Sequence, residues 1–264
     1  MAFDHILILA LIQGVTEFIP VSSSGHLTLA HGMTDLPDHG VTMDVALHFG
    51  TLLAVMVYFR ADVMRLMRGL VHVPLRRKTQ EAREATHMIY ATLPVLIAAG
   101  LLLASGALEA LRNAHVVAWA SIIFAVPLYL ADRFAPAEKS LSDMADRPAL
   151  LMGLAQMLAL IPGASRAGVT IMAGRALGFS REAAARYSML MAMPVIAAFA
   201  LFGLLQLVSE AAWEALGQAA LGALLAAIFA FITIDLFLRL TRRMSLAVFV
   251  AYRIALGVVI LAFF

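Results

Sequence analysis

Apolar runs close to the ~20 residues that a membrane-crossing helix needs alternate along this chain with short polar stretches. Six such windows fall at roughly 41–59, 87–108, 114–131, 187–208, 215–236 and 244–264. Two further apolar runs are interrupted. Residues 5–30 are uncharged for three turns before Glu17 and then meet a Pro-Val-Ser-Ser-Ser-Gly-His break, and residues 149–178 reach Pro162 after a similar run. Hydrocarbon offers no partner to an opened backbone or a hydroxyl, so a polar break at membrane depth is buried in protein or lines a wet cavity. Each interrupted run therefore predicts a re-entrant helix–break–helix that enters and leaves on one face.

The two breaks resemble each other. FIPVSSSGHLT at 18–28 and LIPGASRAGVT at 160–170 align without a gap at an offset of 142, matching Ile19 with Ile161, Pro20 with Pro162, Ser23 with Ser165 and Thr28 with Thr170. Gln13 and Glu17 precede the first break and Gln156 the second. The pattern predicts an all-α polytopic membrane protein, a single integral membrane domain over 1–264. It is built of two copies of one unit, about 1–131 and about 148–264, each a re-entrant hairpin plus three transmembrane helices. Three is odd, so the second copy starts from the opposite face and the repeats are inverted. The two serine-bearing breaks then meet near the midplane, where such folds bind ligands.

Composition excludes a soluble domain: 62% of residues are hydrophobic, 14% charged, and the mean hydropathy is +0.91, more apolar surface than a water-borne fold can cover. Without cysteine there is no thiolate chemistry, disulfide or cysteine-based metal site. No Lys or Arg precedes Arg60, so the basic n-region of a secretory signal peptide is missing and the N-terminus is expected to be mature. Following the six spans, the basic residues of 60–86 (Arg60, Arg65, Arg68, Arg76, Arg77, Lys78, Arg83), of 132–148 (Arg133, Lys139, Arg147), of 175–186 (Arg175, Arg181, Arg186) and of 239–243 (Arg239, Arg242, Arg243) fall on one side. Residues 1–40, 109–113 and 209–214, on the other, contribute Arg112 alone. The positive-inside rule makes the first group cytoplasmic and puts both termini and the mouth of the first hairpin outside. The net charge of +2 and pI near 9.2 then reflect anchoring to anionic lipid, and no nucleic-acid partner is expected.

The hairpins bring together Gln13 and Glu17, one helical turn apart, then Ser22, Ser23 and Ser24, His26, and from the second copy Ser165, Arg166 and Thr170. This set suits a phosphorylated ligand. Arginine offers a planar donor fork matched to phosphate oxygens, and half-helices restarting after Pro20 and Pro162 aim free N–H groups and positive dipole ends at the break. Plain structural readings stand beside these. Glu17 and Arg166 could each serve folding alone, although intramembrane ionisable residues are expensive and mark function. The serines serve equally as helix caps, and His26 as an interior histidine, a base or a nucleophile. Asp235 and Arg253 read as a structural ion pair or as snorkelling side chains, and His48 and His115 as interior or interfacial groups without nearby partners. No Walker A loop, DxDxT or HExxH motif occurs.

At these residues the chain resembles the bacitracin-resistance family of undecaprenyl-diphosphate phosphatases. QGVTEFIPVSSSGHL at 13–27 is similar to that family's (E/Q)xxxE block running into PVSSxGH, and PGASRAGVT at 162–170 to its PGxSRSxxT block. DVALHFGTLLAV at 44–55 and the run at 186–194 fit as well, so the similarity covers essentially the whole chain. The resemblance implies hydrolysis of undecaprenyl diphosphate to undecaprenyl phosphate, which recycles the lipid carrier of peptidoglycan synthesis, at the outer face of the bacterial inner membrane. It implies Glu17, Ser23, His26 and Arg166 as catalytic residues and Gln13, Ser22, Ser24, Ser165 and Thr170 as substrate contacts. It also implies a divalent cation, Mg²⁺ or Ca²⁺, shared by Glu17 and the diphosphate. Two positions depart from the pattern: Gln13 cannot act as an anion, and Ala167 stands where a second serine is usual. The working mechanism has Ser23 attack with Glu17 or His26 as base, and direct attack by His26 is the alternative. The partners expected are a polyprenyl diphosphate lipid and the membrane, with a homodimer left open. A polyprenyl-phosphate flippase on the same inverted-repeat site is the rival class, and a non-catalytic lipid-binding scaffold a third.

Overall fold

The computed structural model describes residues 2–33, 40–107, 111, 113–210 and 216–264. Arg112 and parts of the outer segments 1–40, 109–113 and 209–214 lie outside the described residues. Eleven α-helices are described: α1 Phe3–Thr16, α2 Ser23–Met33, α3 Gly40–Tyr58, α4 Arg60–His72, α5 Gln80–Ser105, α6 Ala114–Phe134, α7 Asp146–Gln156, α8 Arg166–Ala176, α9 Arg181–Glu210, α10 Leu216–Thr241 and α11 Ala247–Phe263. Helix ends follow local chemistry. The Thr79 hydroxyl accepts from Ala82 N–H to start α5, and the Asn113 side chain accepts from His115 N–H to start α6.

Both interrupted runs fold as helix, break and helix. The first breaks between Thr16 and Ser23, and the second passes through a 3₁₀ turn at Met157–Leu160 before α8 begins at Arg166. Four helices, α5, α6, α9 and α10, are long and apolar enough to cross a membrane. A fifth span counts if α3 is taken with α4, from which it is bent by 91°, while α11 has 17 residues and is shorter than the usual span. Residues 60–72, expected as loop, form α4.

The packing of the halves is paired. α1 lies on α10 as α7 lies on α5, while α3 meets α9 and α6 meets α11. The two first half-helices approach their partners at glycine. A Cβ on Gly14 would stand 2.8 Å from the Ala226 carbonyl of α10, and one on Gly153 2.6 Å from the Tyr90 carbonyl of α5, distances no side chain tolerates. Outward faces carry the apolar residues expected against lipid, such as Leu93, Ile97 and Leu101 on α5.

The four basic stretches do meet at one end. Asp132 at the end of α6 receives Arg175 at 3.4 Å, Arg181 at 2.6 Å and the Leu246 N–H at 3.0 Å, tying α6, α8, α9 and α11 together. Asp62 of α4 pairs with Arg186 at 2.7 Å, and Glu182 pairs with Arg242 at 2.5 Å. Asp132 and Arg175 are both buried, and removing either leaves an uncompensated charge, which costs about 3–5 kcal/mol. The expected pairing of Asp235 with Arg253 is not formed. Asp235 holds Arg239 one turn away at 2.7 Å and accepts from the Tyr58 hydroxyl at 3.1 Å. Arg253 is fully buried elsewhere and donates to the Gly163 and Ala164 carbonyls at 3.1 and 2.8 Å.

Candidate active site

The second halves of the hairpins begin alike. Ser22 and Ser165 both take positive φ, 74° and 65°, and each turns its hydroxyl onto the N–H three residues ahead: Gly25 N–H donates to Ser22 Oγ at 3.3 Å and Gly168 N–H to Ser165 Oγ at 3.1 Å. Cap therefore matches cap at an offset of 143, one more than the gapless alignment gave. The same register sets Gln13 opposite Gln156, both fully buried at the end of a first half-helix. It corrects the pairing of Ser23 with Ser165. The counterpart of Ser23, the first residue of α2, is Arg166, the first residue of α8.

The breaks then touch directly. Gly163 N–H donates to Ser24 Oγ at 3.0 Å, and Ser22 and Ser24 share a hydrogen bond at 3.1 Å. Between them opens a cavity of about 300 Å³ lined by Glu17, Ser22, Ser23, Ser24, His48, Ser165 and Arg166, with Pro162 and Gly163, at the small end of the ~300–1,000 Å³ common for small-ligand sites. Glu17 is the hub. Its Oε2 accepts from Gln13 Nε2 at 3.0 Å and from Ser23 Oγ at 3.4 Å, while Oε1 receives Arg166 Nη2 at 2.9 Å. Arg166 Nη2 also reaches the Glu17 carbonyl at 3.2 Å and Nη1 the Ser188 carbonyl at 3.1 Å, with the guanidinium over the Phe18 ring. A fork held at three points is preorganised for oxygens in a plane.

Two residues named from sequence stand apart from this cavity. His26 Nδ1 donates to the Ser22 carbonyl at 2.8 Å, and Nε2 meets the Tyr252 hydroxyl at 2.6 Å with the rings stacked. It is not among the residues lining the cavity. Thr170 is fully buried, its hydroxyl shared between the Arg166 carbonyl at 2.8 Å and Ser188 Oγ at 2.6 Å. It braces α8 against α9, whose Ser188 carbonyl in turn holds Arg166.

Sequence reasoning missed His48. Its Nδ1 donates to the Asp44 carbonyl at 2.8 Å, which leaves Nε2 facing Glu17 Oε2 at 4.0 Å across the cavity. An ionisable group in mid-span was the available signal; its partner, far away in sequence, was not. Arg253 was missed in the same way. With Ser121, whose hydroxyl lies 3.3 Å from the Gly163 carbonyl, it fixes the second break.

For a divalent cation the cavity supplies one carboxylate, Glu17, so any ion would take its remaining oxygens from diphosphate and water. Among the described residues no three of His, Cys, Asp and Glu converge, and both Glu17 oxygens already take donors. Mg²⁺ and Ca²⁺ need six or more oxygens, so these residues do not by themselves build a site for either, and no step below runs through one.

The described residues form an all-helical, polytopic membrane fold whose two interrupted helices bring a hydroxyl, a carboxylate and a guanidinium to one cavity. Comparison with known proteins gives it a family. Residues 6–259 match the model of the family described as bacitracin resistance protein BacA. The chain is 43% identical to an undecaprenyl-diphosphatase of Maricaulis maris, with all of both chains covered. It is 42% identical to one from Roseobacter denitrificans, covering 100% and 99% of the two chains, and 44% identical to one from a Ruegeria species, covering 99% and 98%. The chain belongs to the BacA family.

Proposed function

We propose that this protein hydrolyses undecaprenyl diphosphate to undecaprenyl phosphate and inorganic phosphate, using the two half-helix breaks as its active site. The observation that carries the reading is the convergence, from opposite halves of the chain, of Ser23, Glu17 and Arg166 on one cavity. Arg166 and the N–H groups opening α2 and α8 receive the diphosphate. Arg166 starts out on Glu17. As diphosphate oxygens take over the guanidinium, the Glu17 carboxylate is released from Arg166 and left facing Ser23.

Ser23 Oγ gives its proton to Glu17 and bonds to the terminal phosphorus while the bond from that phosphorus to the bridging oxygen breaks. The proton passes to the departing lipid phosphate, which restores the carboxylate. Glu17 then takes a proton from the water that attacks the phosphoserine, and Ser23 recovers that proton as phosphate leaves. Gln13 and His48 hold Glu17 in place, Ser22, Ser24 and Ser165 shape the breaks, and Thr170 braces Arg166 from behind. The engagement of both His26 ring nitrogens outside the cavity favours serine over histidine as nucleophile. Purified protein given undecaprenyl diphosphate is expected to release phosphate. A flippase or a lipid-binding scaffold would bind the lipid and release none, and that result would remove the reading.

The chain is further proposed to form six spans and two re-entrant hairpins in inverted repeats, about 1–131 and 148–264, in the bacterial inner membrane with the site open to the outer side. The paired packing of α1 on α10 with α7 on α5, and the self-pairing of α3 with α9 and of α6 with α11, support a two-fold relation. The junction of the basic stretches at one end supports a single cytoplasmic face. The natural absence of cysteine allows a direct check. With an impermeant thiol reagent on intact cells, a cysteine in place of Asp38 is expected to label and one in place of Lys78 to stay protected. The reverse pattern inverts the topology.

A further inference from the structure

Helix α4 is neither a span nor a loop. It leaves the end of α3 at 91°, so if α3 crosses the bilayer α4 runs along its surface. At the helical 100° per residue, Met64, Met67 and Val71 fall within an arc of about 60°, and they are 55%, 57% and 62% exposed. Leu70 and, just past the helix, Leu75 extend this apolar face at 45% and 58% exposed. Arg68, His72 and Arg65 come next around the helix. The side occupied by Asp62 and Gly69 is buried against α5.

Cations gather on the water side of this apolar strip. Arg65 is paired with Asp62 and lies 3.6 Å from Glu84. Arg60, Arg68, Arg76, Arg77 and Lys78 are exposed and form no ion pair among the described residues. A half-buried acid–base link, Asp62 to Arg186 at 2.7 Å, secures the helix to α9.

We propose that α4, with the basic run at 76–78, is an interfacial anchor that seats its Met64–Met67–Val71 face in the acyl boundary and gathers anionic phospholipid headgroups around Arg68, Arg76, Arg77 and Lys78. The three-sided division carries the assignment. A protein-facing side, an exposed apolar side and an unpaired basic side, on a helix bent by 91° from α3, match the three environments met at a bilayer surface. An apolar protein face would leave the unpaired cations unanswered, whereas an anionic lipid surface matches both apolar arc and charge.

The test uses the full chain in nanodiscs of mixed phosphatidylcholine and phosphatidylglycerol. Single cysteines replacing Met67 or Val71 carry an environment-sensitive fluorophore, and nitroxide lipids of either headgroup act as quenchers. Shallow nitroxides are expected to quench both positions, and the phosphatidylglycerol quencher to act about threefold more strongly than the phosphatidylcholine one. That preference is expected to vanish when Arg68, Arg76, Arg77 and Lys78 are all changed to Gln, and at about 1 M salt, where the Debye length falls to ~3 Å. Unchanged phosphate release by the Gln variant verifies its fold. Equal quenching by both lipids in the unsubstituted chain overturns the proposal. So does quenching by aqueous iodide alone, or self-quenching between labelled copies, which would mean that a second chain covers the face.

Discussion

Ser23→Ala is expected to lower kcat by at least about a thousandfold while leaving substrate affinity within about twofold of the original, because the lost oxygen acts in bond formation and contributes little to ground-state binding. Neighbouring serines provide the contrast. Ser23 Oγ has one contact, with Glu17 at 3.4 Å, so its removal disturbs little of the fold. Ser22 caps α2 through Gly25 N–H, and Ser24 takes the Gly163 N–H of the other hairpin. Their alanine variants are expected to lose about 1 kcal/mol of stability each and to keep most of their turnover once folded. Steady-state kinetics, lipid binding and thermal unfolding of the three variants separate the roles. Ser23→Ala with activity within tenfold of the unsubstituted enzyme, or a phosphohistidine trapped at His26, removes serine from the nucleophile's place.

Arg166→Lys is expected to cut kcat/KM by roughly 30- to 1000-fold, on the order of 2–4 kcal/mol of transition-state stabilisation. The guanidinium spans the Glu17 carboxylate, the Glu17 carbonyl and the Ser188 carbonyl at once. A lysine ammonium keeps the charge but cannot make that planar reach. Were Arg166 present for folding alone, the ion pair to Glu17 would survive in the lysine variant. Any loss would then fall on thermal stability and yield. Measured on purified protein, a stable variant with activity within about threefold of the original corresponds to under ~1 kcal/mol and refutes the clamp.

Much of this was written in the sequence because the membrane makes local pattern decisive. Apolar runs located α5, α6, α9 and α10 to within a few residues at most ends, and proline followed within three residues by serine located both breaks. What escaped had two physical causes. A short helix that carries charges on one side lowers the window average and reads as loop, which hid α4. Contacts made across distant segments leave no trace in spacing, so His48 beside Glu17 and Arg253 beneath the second break were passed over. The turn from His26 toward Tyr252 was equally invisible, since proximity to Ser23 in sequence does not set the direction of a side chain on a helix. The alignment slip of one residue arose because identical letters were matched, whereas the fold matches hydroxyls by the N–H group each one caps.

With the caps in register, one helical position holds a hydroxyl in the first hairpin and a guanidinium in the second. A duplicated unit begins with its halves alike, and at this position sameness fails either way. Two serines would leave the charge of a diphosphate unanswered. Two arginines about 4 Å apart would repel by about 4 kcal/mol at an effective dielectric constant near 20, with no nucleophile between them. In this register the breaks also part company at Glu17 against Leu160 and Ser24 against Ala167, so the chemistry is divided between the halves and neither can stand in for the other.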